Sequence, residues 1–302
     1  MVPYVAVDSK MAAAWRSVFR EGLFDGKVAI VTGGGTGIGK AIAAELLSLG
    51  SKVVIASRSE EKLQKAAVDL EKFIPPSSSA EVKVIPCNIR KESQVTNLMK
   101  STLSSYGRID YLVNNGGGQF LCPVSNMSYK GWNAVIDTNL NGTFLCCTEA
   151  YRLWMSEHGG SIVNIIVDFF KGYPNMAHTG AARAGVHNLT MSLAVEWISN
   201  GIRINNVAPG VIFSETAAAN YPIPDLFEKI RQTLPAKRCG ETEEVSGAVC
   251  FLLSPAASYI TGSTIKVDGA SSLVFANAMK IPDHNNMPLF DDRDDSNPKS
   301  KL

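Results

Sequence analysis

The chain has 302 residues, 45% hydrophobic and 19% charged, with a formal net charge of +1 at pH 7. This composition is typical of a globular protein with a sizeable core, and the near-neutral charge gives no support for a nucleic-acid partner. No apolar run approaches the ~20 residues that a membrane span needs. Charged residues within the first 26 positions interrupt any signal-peptide core.

The six cysteines show no spacing typical of a metal site or a disulfide framework. Most of them lie inside apolar runs, which indicates reduced core residues: Cys87, Cys122, Cys146, Cys147, Cys239 and Cys250. We therefore expect neither a zinc site nor a disulfide. The sequence leaves open whether Met1 or Met11 is the start.

The first predicted element is a buried strand at residues 28–31, followed by a glycine-rich turn and a helix at residues 41–49. Glycines let the backbone approach an anion closely, and the helix N-terminus supplies free N–H groups and a partial positive charge. The stretch therefore predicts a dinucleotide diphosphate cradle. Its candidate residues are Thr32, Gly33, Gly35, Thr36, Gly37, Ile38, Gly39 and Lys40.

Strand and helix patterns then alternate along the chain. Strands are predicted at residues 52–56, 82–85, 110–113, 161–167, 202–207 and 263–267, and helices at 60–73, 92–106, 131–155, 177–199 and after an N-cap at Thr242. Residues 210–237 are expected to be irregular. Short connections between alternating elements predict an α/β fold with a doubly wound parallel sheet, a Rossmann fold.

No composition break interrupts the chain before residue ~275, which favours a single domain. We expect an N-terminal extension at residues 1–23, a nucleotide-binding catalytic domain at 24–274 and a C-terminal tail at 275–302.

The end of the second strand indicates which nucleotide binds. An acidic residue there holds the ribose hydroxyls of NAD, whereas a nearby Arg in its absence accommodates the 2′-phosphate of NADP. Here the strand ends in Ser57 and Arg58, with no acid before Glu60. Arg58 offers a planar fork to the phosphate and Ser57 a hydroxyl, with Lys40 adding charge. The predicted cofactor is NADPH.

Several further motifs share one resemblance, over roughly residues 24–272. The chain resembles the short-chain dehydrogenase/reductase family through Thr32-Gly33-x-x-x-Gly37-x-Gly39, Asn114–Gly117, Asn139, Arg203–Gly210 and Val267–Gly269. Within that family it is most similar to the trans-2-enoyl-CoA reductases of peroxisomes, through residues 114–120, residues 179–185 and the terminal Ser300-Lys301-Leu302. The resemblance implies NADPH-dependent reduction of the 2,3 double bond of an acyl-CoA during fatty-acid chain elongation.

The departures from the family pattern concern its catalytic residues. Thr179 stands at the position of the usual Tyr, Arg183 at that of the usual Lys, and Ile166 or Val167 at that of the usual Ser. Because the phenol that protonates a carbonyl oxygen is missing, ketone reduction by the usual route is not expected. Enoyl-thioester reduction first needs donors that face the enolate oxygen.

Gln119 is the first candidate for that donor, since an Asn at the matching position plays this part in the similar dienoyl-CoA reductases. Thr179 is a second candidate, and the resemblance implies that Arg183 holds the nicotinamide ribose. Members of the subfamily carry a Tyr, assigned as the acid, at the position of His187. The proton donor to carbon 2 stays open among His187, His178, Tyr173 and water.

The resemblance also implies the remaining cofactor contacts. Asn114, Gly116 and Gly117 are expected against the adenosine ribose, Asn88 at the adenine, and Asn139 as a brace for the catalytic helix. The nicotinamide is expected to be backed by Pro209, Gly210 and Ile212, and residues 213–234 to form a lid over the acyl chain.

The terminal tripeptide Ser300-Lys301-Leu302 is the address read by the peroxisomal import receptor, so the expected location is the peroxisome. A homotetramer is expected by resemblance only. Two alternative functions stay open: a 2,4-dienoyl-CoA reductase, and a non-catalytic NADP-binding scaffold.

Overall fold

The computed structural model describes residues 17–221, 223, 225–273, 281–288 and 290. Its centre is a seven-stranded parallel sheet in the order β3-β2-β1-β4-β5-β6-β7. The strands are β1 Val28–Thr32, β2 Lys52–Ser57, β3 Val82–Pro86, β4 Tyr111–Asn114, β5 Gly160–Ile165, β6 Ile202–Pro209 and β7 Thr264–Val267. The predicted doubly wound sheet is confirmed.

Helices connect the strands and cover both faces of the sheet. They are α1 Gly37–Ser48, α2 Glu60–Leu70, α3 Glu92–Tyr106, α4 Tyr129–Ile136, α5 Gly142–Ala150, α6 Ser156–His158, α7 Ala177–Trp197, α8 Glu215–Asn220, α9 Leu226–Thr233 and α10 Thr242–Leu253. Alternate strand residues feed two separate cores. Val31 packs in the one that includes residues of α1, α2 and α10, and Ile30 in the one that includes residues of α3, α5 and α7.

The strand order places the site. β1 pairs with β2 on one side, Val28 opposite Lys52, and with β4 on the other, Ala29 opposite Tyr111. The connections after β1 and after β4 therefore leave the sheet in opposite directions, which opens a crevice beyond the carboxyl ends of these strands. The glycine turn after β1 and the glycine run after β4 meet at this crevice.

Three predicted elements differ in detail. The helix predicted over residues 131–155 is α4 and α5 with π-helical turns at Asp137–Asn141 and Tyr151–Met155. The N-cap of α10 is Glu241, one residue before the predicted Thr242, because Glu241 and Glu244 form a reciprocal capping box. The stretch predicted as irregular contains α8 and α9.

Among the described residues, no helix is long and apolar enough to cross a membrane, and no group of His, Cys, Asp and Glu is arranged to hold a metal. Of the six free cysteines four are buried, as the apolar runs around them predicted, and Cys122 and Cys239 are half-buried. Most of the predicted N-terminal extension and C-terminal tail, including Ser300, Lys301 and Leu302, lies outside the described residues.

Candidate active site

The glycine turn between β1 and α1 is shaped by close backbone approaches. Gly33 and Gly37 have positive φ angles of 66° and 51°, and a Cβ on Gly39 would lie 2.3 Å from the Gly33 carbonyl oxygen. Side chains are excluded there, so only glycine fits. The N-cap Thr36 makes no side-chain cap and no acidic residue occupies the first turn of α1. The turn therefore presents a helix N-terminus suited to a phosphate.

A hydroxyl and an amide join this turn to the glycine run after β4. The Thr32 hydroxyl accepts hydrogen bonds from the backbone N–H groups of Asn115 at 3.1 Å and Gly116 at 2.9 Å. The Asn115 side-chain amide donates to the carbonyl oxygens of Thr32 at 3.1 Å and Gly33 at 3.3 Å. The two glycine segments thus form one continuous floor for the crevice.

The residues predicted to select the 2′-phosphate differ in their contacts. Arg58 is exposed and forms no ion pair with any described residue, and Ser57 beside it is half-buried. Lys40 lies 2.7 Å from the Asp69 carboxylate, and their hydrogen bond lowers the pKa of Asp69. Asp69 already offsets the charge of Lys40, whereas no described carboxylate offsets that of Arg58.

Asn88 and Asn114 use their amides within the protein. The Asn88 side-chain oxygen accepts the backbone N–H of Arg90 at 3.2 Å, which leaves its second lone pair for an adenine amino group. Asn114 is buried and donates to Asn164 at 2.9 Å, so its side chain points into the interior. Only the backbone of Asn114 can contribute to the nucleotide surface.

Arg183 on α7 is a buried cation without a carboxylate partner in the described part of the chain. It is 7% exposed, its Nη1 donates to the Ile165 carbonyl oxygen at 2.7 Å, and its Nε has no partner. Burial lowers its pKa to about 10, so it stays charged at neutral pH. A buried charge without an ionic partner is stabilised when a polar or anionic ligand binds beside it.

Gly117 lies close to both this guanidinium and the Asn139 side chain. A Cβ on Gly117 would lie 2.3 Å from Arg183 Nη2 and 2.7 Å from Asn139 Oδ1. Asn139 accepts the Gly118 N–H at 3.0 Å and donates to the Gly118 carbonyl at 2.9 Å. Asn139 therefore braces the glycine run after β4. We had predicted that it braces the catalytic helix, which is α7.

Thr179 and His178 begin α7 and are both 0% exposed. His178 Nδ1 accepts the Thr179 backbone N–H at 2.8 Å, which assigns the ring proton to Nε2, and Nε2 has no partner among the described residues. Burial lowers the pKa of His178. Neither side chain has the solvent access of Gln119, which is exposed.

His187 faces a different part of the molecule. Its Nδ1 lies 3.0 Å from the Thr264 hydroxyl on β7, and the rings of Phe169 and Phe170 pack edge-on against it. It is eight residues beyond Thr179, about 12 Å along the helix axis. His187 lies one helical turn beyond Arg183 and two beyond Thr179, and its own contacts are with Thr264 and the two phenylalanines.

The segment predicted as a lid contacts the crevice directly. The Gln119 side-chain amide donates to the Tyr221 hydroxyl, just after α8. The rings of Phe213 and Phe227 pack edge-to-face at 5.3 Å. At the base of this segment, Pro209 ends β6, the Gly210 N–H bonds to the Val267 carbonyl, and Ile212 bridges to Gly240. These contacts join Tyr221 to the crevice and anchor the described residues at the start of the segment beside β7.

A buried polar chain beneath α7 was missed in the sequence. Asn164 donates to the Thr190 hydroxyl at 2.9 Å, Thr190 donates to Asn206 at 2.8 Å, and Asn206 donates to Thr264 at 3.2 Å. The available signal was an amide inside each of two apolar strands. Buried amides need partners, so the two amides could have been predicted to meet.

Comparison with known proteins finds reductases among the similar sequences. A family model described as enoyl-(acyl carrier protein) reductase matches residues 33–271. The peroxisomal 2,4-dienoyl-CoA reductase of Danio rerio is 36% identical, covering 86% of each chain. A probable 2,4-dienoyl-CoA reductase of Bacillus subtilis is also 36% identical, over 82% of this chain and 97% of its own.

Solved structures share the fold. The citronellol catabolism dehydrogenase AtuB of Pseudomonas aeruginosa PAO1 is 44% identical, with a TM-score of 0.76, over 85% of this chain and 100% of its own. A short-chain type dehydrogenase/reductase from Mycobacterium ulcerans is 30% identical, with a TM-score of 0.77, over 83% of this chain and 91% of its own.

Proposed function

The chain belongs to the short-chain dehydrogenase/reductase family, and we propose that it reduces the 2,3 double bond of trans-2-enoyl-CoA thioesters with NADPH. Membership makes it an oxidoreductase that takes a nicotinamide cofactor. The uncapped N-terminus of α1 and the buried Arg183, which has no carboxylate partner among the described residues, fit such a group. When bound, NADPH supplies the hydride.

The presence of Thr179 on α7 is the main reason for proposing this reaction. The family reduces ketones with a Tyr at this position, and here a fully buried hydroxyl replaces the phenol. The usual protonation of a carbonyl oxygen is therefore lost. Reduction of an enoyl thioester instead delivers the hydride to carbon 3 and places negative charge on the thioester oxygen, which needs only oriented donors.

Gln119 is the donor that we assign to this step, with Arg183 supporting it. Gln119 is exposed at the crevice, and its amide nitrogen carries a second N–H besides the one given to Tyr221. Arg183 holds the nicotinamide ribose and adds positive charge beside the crevice. Thr179 stays a candidate donor, and the position of His187 argues against its role as the acid.

Gln119→Ala should lower kcat for enoyl-CoA reduction by about 100-fold, the usual effect of losing one donor to a developing oxyanion. The dissociation constant of NADPH should stay within twofold, because the amide faces the substrate. Stopped-flow turnover and fluorescence titration measure the two quantities. Unchanged kcat in the variant would show that the Gln119 amide has no catalytic role.

Arg58→Ala should weaken NADPH binding by about 10- to 100-fold, since a hydrogen bond between charged groups contributes about 1.5–3 kcal/mol. NADH lacks the 2′-phosphate and serves as the internal control, with its dissociation constant expected to change less than twofold. Fluorescence titration with each nucleotide checks this. Equal losses of affinity for NADPH and NADH would show that Arg58 does not contact the 2′-phosphate.

A substrate panel separates the candidate reactions. We expect NADPH consumption with trans-2-enoyl-CoA thioesters from crotonyl to hexadecenoyl. Turnover confined to 2,4-dienoyl-CoA would favour the reaction named for the two reductase relatives. Oxidation of citronellol with NADP⁺ would favour a dehydrogenase of citronellol catabolism, as AtuB is named. Tight NADPH binding with no turnover would indicate a scaffold.

We further propose that the protein acts in peroxisomes. The support is the terminal Ser300-Lys301-Leu302, together with relatives from animals that are named as peroxisomal. Imaging a fluorescent protein fused to the N-terminus tests the address. Punctate localisation that persists after removal of the tripeptide would contradict it.

A further inference from the structure

Reduction of an enoyl thioester still needs a proton at carbon 2, and the sequence left His187, His178, Tyr173 and water open as its source. His178 is fully buried. His187 is engaged with Thr264 and two phenylalanine rings. Of the three side chains, these contacts leave Tyr173 as the best placed.

Tyr173 lies in the loop between β5 and α7, at the carboxyl edge of the sheet. Its carbonyl accepts the Met176 N–H at 3.0 Å, and Met176 in turn accepts the N–H groups of Thr179 and Gly180. This series of turns folds the loop back onto the first turn of α7. Tyr173 is thereby fixed beside the position where the family's phenol is missing.

Gly180 sets the position of the Tyr173 side chain. A Cβ on Gly180 would lie 2.9 Å from the Tyr173 Cβ, closer than two carbons approach. The absence of a side chain at residue 180 thus lets the tyrosine pack directly on α7. Arg183 follows Gly180 by about one helical turn, on the same face.

The Tyr173 hydroxyl makes no hydrogen bond with any residue that the structure describes, and the side chain is half-buried. Three groups act electrostatically on the Tyr173 hydroxyl: Tyr221, Arg183 of α7, and Asp168 of its own loop. Lys266 of β7 lies 3.5 Å from the Asp168 carboxylate. Burial raises the pKa of Tyr173 to about 12. The phenol is therefore protonated at neutral pH.

We propose that Tyr173 is the catalytic acid that protonates carbon 2, a role that rests on the proposed enoyl-CoA reduction. As the hydride forms the new C–H bond at carbon 3, the electrons of the double bond move onto the thioester enolate. The enolate then takes the phenolic proton of Tyr173 at carbon 2. Water at the open side of the crevice returns a proton to the phenolate, so each turnover consumes one hydride and one proton.

Arg183 and the lid support this step. The guanidinium favours the transient phenolate, because it contributes positive charge near the phenol. Tyr221 is hydrogen-bonded to Gln119 and acts electrostatically on Tyr173, so the amide assigned to the thioester oxygen and the phenol are linked through Tyr221. A phenol brought in by the loop replaces the one that the helix has lost.

The test compares Tyr173→Phe with the wild type and with Tyr259→Phe, a fully exposed phenol outside the crevice. Tyr173→Phe should lower kcat with hexadecenoyl-CoA at least 100-fold, within the usual range for losing a general acid. Its melting temperature and its dissociation constant for NADPH should match those of the wild type. Tyr259→Phe should be unchanged in every measurement.

The pH profile gives a second readout. Wild-type kcat should stay level between pH 6 and 9, because a phenol with a raised pKa keeps its proton throughout. An acid at His178, whose pKa is lowered by burial, would lose rate as the pH rises through this range. A profile that falls steadily above pH 6 would overturn the assignment.

The outcomes separate this proposal from the function on which it rests. No turnover of any enoyl-CoA by the wild type overturns the proposed function. If the wild type turns over enoyl-CoA and the kcat of Tyr173→Phe is within threefold of the wild-type kcat, only the role of Tyr173 is overturned. Equal losses of kcat and of NADPH affinity in the variant would mean a structural role, and would also overturn it.

Discussion

Replacing Arg183 by methionine is expected to lower turnover by at least 100-fold while leaving the free protein as stable as the wild type, or more so. The guanidinium is buried, and no described carboxylate offsets its charge. The fall in its pKa from 12.5 to about 10 corresponds to a cost of roughly 3 kcal/mol for holding the charge in the fold.

Methionine keeps the apolar stem and removes that cost, at the loss of the hydrogen bond to Ile165, which contributes about 1 kcal/mol. The melting temperature of the variant without cofactor should therefore equal or exceed that of the wild type. NADPH affinity should fall at least tenfold, because the ribose loses its charged donor. A residue retained at a cost to stability is typical of a functional site.

Differential scanning fluorimetry and NADPH titration measure these two effects together. Arg152→Met is the control for activity, since the Arg152 side chain is exposed and lies in the π-helical turn Tyr151–Met155, where it pairs with the buried Glu149. The control should keep full activity. Arg183→Met with normal NADPH affinity and normal kcat would show that Arg183 is only a core residue.

Gly117→Ala is expected to reduce enoyl-CoA turnover at least tenfold and to destabilise the protein by about 1–3 kcal/mol. The new Cβ would lie 2.3 Å from Arg183 Nη2 and 2.7 Å from Asn139 Oδ1. Neither group can retreat easily, since Arg183 bonds to Ile165 and Asn139 bonds twice to Gly118. The methyl group therefore displaces the guanidinium or the glycine run.

Gly247→Ala is the control for this substitution. Gly247 lies on α10 with nothing within 4 Å of an added Cβ, so alanine should stabilise that helix slightly. Urea unfolding and steady-state kinetics on both variants check the contrast. If Gly117→Ala matches the wild type in both, the contact between Gly117 and Arg183 does not constrain the site.

The sheet and its glycine turn could be predicted because their signals are local. Buried parallel strands are continuous apolar runs, and the turn at residues 32–39 carries its own spacing of glycines. The nucleotide face of the site follows from those two features. A resemblance supplied the expected functions of Asn139 and Arg183, and the structure adds the hydrogen bonds of Asn139 to Gly118 and of Arg183 to Ile165.

The part of the site that faces substrate was harder to predict, because it depends on how distant segments meet. The sequence places His187 two helical turns from Thr179, but it does not show that Thr264 and two phenylalanines enclose it. It also does not show that Gly180 admits Tyr173. The lid helices α8 and α9 are short, at six and eight residues, so their periodic signal is weak.

The proposed enzyme delivers hydride to carbon 3 of an enoyl thioester in a crevice that lacks the family's helix phenol. Mass spectrometry of the product formed from trans-2-hexadecenoyl-CoA, with NADPH carrying two deuterium atoms at carbon 4 of its nicotinamide, tests this reaction directly. We predict saturated acyl-CoA with one deuterium at carbon 3 and a solvent-derived hydrogen at carbon 2. Unchanged enoyl-CoA beside bound NADPH, or deuterium at any other carbon, would contradict the proposed reaction.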